Sequence, residues 1–139
     1  GLIRSKYTSL TTDDDSKLTD YLWPIIKEMI KTAIENNQNL IIEGCYIPYY
    51  WKEEFDSHYL KQIHYYCLIM SEEYIKNHFD IIKQYSNKIE NRKNDDEFTQ
   101  EIAIEENKNY LYVVTENDLN YILIKDEYSI ENILCFIKL

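Results

Sequence analysis

The sequence predicts a three-layer α/β domain, in which helices cover both faces of a parallel sheet. Three observations predict it. Short, unbroken apolar runs occur at Leu40-Ile41-Ile42, at IHYYCLIM over residues 63–70 and at YILI over 121–124, and strands buried on both faces read this way. Between these runs, apolar residues recur every three and four positions, the period of amphipathic helices. The chain has 139 residues, 45% of them hydrophobic, enough for one sizeable core. Strands over 40–43, 63–69 and 121–124 are therefore expected, mutually parallel, in a single domain spanning 1–139.

The elements follow in order. Residues 8–15 form a polar, acidic connection. Leu18, Leu22, Ile25, Ile26, Met29, Ile30, Ala33 and Ile34 then share one face of a long helix, with Asp15 or Ser16 as its cap. Pro24 lies inside this pattern and predicts a kink, or a helix that starts near Leu22. Asn36, Asn37 and Asn39 mark the helix end. The first strand, 40–43, leads through Gly44 into an aromatic loop over 46–50, followed by a short helix over 51–60.

The second strand leads to Ser71, a helix cap, with Glu72 and Glu73 in the first turn where the helix dipole favours negative charge. That helix presents Ile75, His78, Phe79, Ile82, Ser86 and Ile89 on one face. Residues 92–97 are a charged break. Residues 98–117 are ambiguous: their glutamates suit a helix, while Tyr110-Leu111-Tyr112-Val113-Val114 has strand propensity. After the third strand, Ser129 caps a closing helix that turns Ile130, Ile133, Leu134 and Ile137 inward.

Composition excludes several functions. With 15 basic and 25 acidic residues, net charge −10, the chain repels nucleic-acid phosphates and anionic lipid. No apolar stretch reaches the ~18 residues of a membrane span. Glycine occurs only at Gly1 and Gly44. Neither a GxxxxGK[ST] phosphate loop nor a three-glycine dinucleotide fingerprint can be built from these.

Cys45, Cys67 and Cys135 lie in apolar runs without CxxC spacing, which predicts buried, reduced thiols in a cytoplasmic protein. No zinc spacing links His58, His64 or His78 to other ligands. Glu54 and His58, four apart, suit a surface ion pair on a helix. The chain begins with Gly1 rather than Met and lacks a secretory signal run, so Gly1 is not expected to be the natural start.

Three segments carry a family resemblance: IIKEMIKTAIENNQNLIIEGCYIP, YYCLIMSEEYIKNHFDIIKQYSNKIENR and LNYILIKDEYSIENIL. In order and spacing they resemble the small P-loop kinases of the adenylate-kinase and 2-phosphoglycerate-kinase-like group. The resemblance implies that 40–43 is the strand ending in a Walker-B-like acidic residue, at Glu43. It implies that 66–91 leads into a lid whose arginine, at Arg92, closes over nucleotide phosphates, a task suited to the guanidinium fork. Arg4 falls in the substrate-side region as a contact for substrate phosphate, and 121–126 resembles the last strand near the adenine site; the rings of Tyr46, Tyr49, Tyr50 and Trp51 suit stacking on a substrate base or sugar. Each residue also has a structural alternative: Glu43 as a strand end, Arg92 as a helix end, and Tyr46, Tyr49, Tyr50 and Trp51 as an aromatic corner packed on the sheet.

The family's first strand, phosphate loop and second strand are expected ahead of Gly1. The intact protein would bind ATP with Mg²⁺ and phosphorylate a small metabolite or nucleotide, with catalysis by positioning and charge stabilisation. The 139 residues alone are expected to be inactive. Either a strand from elsewhere in the polypeptide or from another chain is expected to complete the sheet, or the two strand edges are expected to close on each other. The alternative reading is a non-catalytic acidic interaction protein, of the immunity, antitoxin or DNA-mimic type, on a kinase-derived fold.

Overall fold

The structure, a computed structural model, describes residues 15–89 and 98–137. The chain divides into two compact units, one ending at Ile63 and one beginning at His64.

The first unit is built on α1, Asp15–Glu35. It buries Leu18 and Ala33 of the expected apolar face together with Trp23, which lies outside that face, while Ile25 and Met29 of the expected face are exposed. Asp15 and Ser16, expected as caps, lie inside the helix. Pro24 also lies inside it and does not divide it. Pro24 is on the exposed side, where its missing N–H costs a hydrogen bond but no buried polar group.

The helix ends in a Schellman motif. Asn37 adopts φ 53°, its N–H donates to the Ile34 carbonyl, and the Gln38 N–H donates to the Ala33 carbonyl at 2.8 Å. Asparagine tolerates the left-handed conformation that most residues avoid. The Asn36 side-chain amide donates back to the Thr32 carbonyl at 2.8 Å.

The expected strand over 40–43 does not form. Residues 38–43 carry no regular structure, and none of 40–43 makes a backbone hydrogen bond among the described residues. Ile41 is 95% exposed. An apolar run becomes a strand only when a neighbour satisfies its backbone, and among the described residues none pairs with it.

The short helix expected over 51–60 forms as two pieces: a 3₁₀ turn, Trp51–Glu54, and one α-turn, α2, Ser57–Leu60. Trp51 and Phe55 are buried. Phe55 meets Trp23, Trp51 and Tyr59 edge-on at 6.1–6.2 Å, the geometry that ring quadrupoles favour.

The second unit contains β1 (Cys67–Met70), α3 (Glu72–Ile89), α4 (Gln100–Glu116), β2 (Tyr121–Ile124) and α5 (Ile130–Phe136). β1 and β2 pair in parallel, Cys67 opposite Tyr121 and Met70 opposite Ile124, with α3 and α4 forming the crossover. The Cys67 N–H donates to the Asn120 carbonyl and the Ser71 N–H to the Ile124 carbonyl, extending the ladder at both ends. Side chains alternate across the sheet, so Ile69 is buried on one face and Ile122 and Ile124 on the other.

β1 begins at Cys67, four residues later than the run at Ile63 suggested. The parallel pairing of the second and third expected strands is present; the first is not a strand. The chain is thus a mixed α/β protein, mostly helical, with a two-stranded parallel sheet.

The ambiguous segment is helical from Gln100 to Glu116, as α4. Thr99 caps it, its Oγ1 accepting the Ile102 N–H at 3.3 Å. Tyr110–Val114 therefore sits in a helix, because α4 packs on α3 and β1 and packing overrides a local β preference. α4 ends as α1 does. Asp118 has φ 50°, the Leu119 N–H donates to the Val114 carbonyl at 2.9 Å, and Leu119 and Val114 are both buried.

Ser71 caps α3 as expected, accepting the Tyr74 N–H at 3.0 Å. α3 breaks its regular geometry at His78, with φ −128° and ψ 15°. The His78 ring stacks on Tyr74 with centroids 4.4 Å apart, and its Nδ1 lies 3.0 Å from the Tyr74 carbonyl oxygen. Ser129 precedes α5 without a side-chain capping bond. Among the described residues no helix is long and apolar enough to cross a membrane.

Candidate functional site

Of the four residues expected at a site, the structure describes two. Arg4 and Arg92 lie outside the described residues. Glu43 and Tyr46 share the loop between α1 and the 3₁₀ turn. Glu43 is exposed on irregular backbone, and Tyr46 is half-buried. Between them, Gly44 takes φ 154° with open space where a Cβ would stand, so the loop uses glycine for its backbone conformation. The aromatic corner divides in two: Trp51 is core, at 4% exposed, while Tyr49 faces solvent and meets Tyr50 edge-on at 5.3 Å.

The polar clusters that do form were not anticipated. Glu54 does not pair with His58. Its Oε2 accepts the Trp23 indole N–H at 2.9 Å and the Lys27 ammonium at 2.8 Å. These bonds, Lys27 first and Trp23 second, hold its carboxyl below the usual carboxylate range. Glu35 accepts the Tyr59 hydroxyl at 2.5 Å. Together these contacts clasp residues 51–60 against α1. Their signal in the sequence is only the four-residue spacing of Trp23 and Lys27, which puts both on one helix face.

In the second unit, Glu72 pairs with Lys108 at 2.6 Å and with Lys76 at 2.7 Å. The two ammonium groups, Lys108 foremost, bring its carboxyl down to about 2. Asn107 performs a different task. Its Oδ1 accepts the Met70 N–H at 2.8 Å and its Nδ2 donates to the Ala103 carbonyl at 2.9 Å. By the alternation of a parallel ladder, the Met70 N–H points away from β2. A side chain of α4 thus occupies that position on the outer edge of β1.

These groups are chemically quiet. Carboxylates held low by cations stay ionised at neutral pH and are poor proton donors or acceptors there. The thiols differ from expectation: Cys45 and Cys135 are exposed and only Cys67 is half-buried, with no disulfide among them. Burial raises the Cys67 thiol and pushes the neighbouring Tyr65 hydroxyl up to about 12.

A shallow groove of about 660 Å³ runs along α1, lined by Pro24, Ile25, Met29, Ala33 and Leu40 with Glu28 at its side. Glu28 is engaged by Lys31 at 3.1 Å.

Against the nucleotide and Mg²⁺ that the resemblance implies, the described residues do not fit by themselves. Glu43 stands as one exposed carboxylate, and no three His, Cys, Asp or Glu side chains converge among the described residues. Mg²⁺ at a phosphoryl-transfer site takes carboxylates together with substrate phosphates, and the cradle for those phosphates has no counterpart among the described residues. Comparison with protein-family models, curated proteins and solved structures found no match to this chain.

Proposed function

We propose that these residues belong to a P-loop kinase-like protein, acting in the cytoplasm on a small metabolite or nucleotide, whose phosphate loop lies outside the 139 residues. The observation that supports this reading is the parallel pairing of β1 with β2 across a helical crossover. Those strands fall in two of the three segments that carry the resemblance, and parallel neighbours joined through helices are the unit from which an open, three-layer α/β sheet is assembled. In this reading a further strand completes the sheet, ATP and Mg²⁺ bind at the supplied loop, and Glu43 and Arg92 act on the phosphates, with Arg4 and Tyr46 toward the acceptor.

The reading frame upstream of Gly1 tests the proposal. A GxxxxGK[ST] loop preceded by an apolar strand is expected there, and a protein carrying it should consume ATP, whereas residues 1–139 alone should not bind Mg-ATP. In the longer protein, Glu43→Gln and Arg92→Ala should each lower kcat more than ATP affinity. An upstream frame without such a loop overturns the reading.

A second reading is favoured by the quiet carboxylates. With net charge −10 and Glu28, Glu35, Glu54 and Glu72 tied up in structural contacts, the chain suits a non-catalytic acidic partner protein. Absence of the upstream loop, with tight binding to a basic protein, would select it.

A further inference from the structure

No further inference is drawn: the strongest candidate, the outer edge of β2, where the backbone of Tyr121 and Leu123 faces away from β1 without a hydrogen-bond partner among the described residues, carries nothing because nothing in the structure shows what covers it.

Discussion

Residues 40–42 and residues 67–70 are both short apolar runs that follow a helix or turn, yet they meet opposite fates. Cys67–Met70 pairs with Tyr121–Ile124 and buries Ile69 to 1% exposure, while Leu40-Ile41-Ile42 leaves Ile41 95% exposed. The two units differ accordingly. The second is organised by a backbone ladder with α4 packed on it. The first contains no strand among its described residues and is held by side chains: edge-on aromatic rings and the Glu54 and Glu35 contacts on α1. Apolar sequence supplies the drive to bury, but only a neighbouring strand converts that drive into β structure.

The sharpest way to break this contrast is to make one substitution in both runs. Ile69→Ala should cost about 2–5 kcal/mol, as buried isoleucines do. Ile41→Ala should change stability by less than about 0.5 kcal/mol, as exposed sites do. Urea unfolding measures both. Equal costs would mean that Ile41 is buried in the folded protein and that the two runs are alike.

A smaller effect isolates the edge of β1. Asn107→Leu removes the acceptor for the Met70 N–H while keeping the side chain's bulk. Leaving that partly buried donor unsatisfied should cost about 1–3 kcal/mol. Faster hydrogen exchange at Met70, with Ile69 less affected, should accompany it. Unchanged protection at Met70 would show that another group takes the place of Asn107.

The helix ends offer a comparison in which the two units should behave alike. Asn37 and Asp118 hold left-handed backbone at φ 53° and 50°, and glycine adopts that conformation without a Cβ penalty. Asn37→Gly and Asp118→Gly should each leave stability unchanged or raise it by up to about 1 kcal/mol. The corresponding alanine variants should lower it. A loss with glycine would mean that the side chain, rather than the backbone, matters there.

The smallest expected effect is electrostatic. Glu72 is held at about 2 by Lys108 and Lys76, so the folded state favours its ionised form. Its contribution is present above the ordinary carboxylate value of 4.5 and is lost as pH falls toward about 2. The melting temperature of Glu72→Gln relative to the parent should therefore be lower at neutral pH, with the gap closing on acidification. Because Glu72 and its partners are exposed, raising the salt concentration should narrow the gap at neutral pH too.

Much of the helical structure was legible. The three- and four-residue period marks α1, and Ser71 with two glutamates marks the start of α3, because capping and amphipathicity are local properties. YILI is a strand at its expected bounds. The 98–117 segment was undecidable from propensity, since Glu-rich and Tyr/Val-rich stretches pull in opposite directions within one helix. At the candidate site, Glu43 was read from a resemblance and Tyr46 from its aromatic ring, and the structure places them in one loop without assembling a reactive group around them among the described residues.

What the sequence determined by itself is therefore what depends on neighbours along the chain: the Ser71 start of α3, the asparagine-rich end of α1, the absence of a glycine-built phosphate loop, and the acidic surface. Tertiary structure alone decided which apolar runs became strands. It also decided that Glu54 would meet Trp23 and Lys27, from 31 and 27 residues away, and that Asn107 would cap an edge 37 residues distant. A strand needs a partner for every second backbone group, and a buried polar bond needs a partner in space. Neither requirement leaves a periodic trace in the sequence that supplies it.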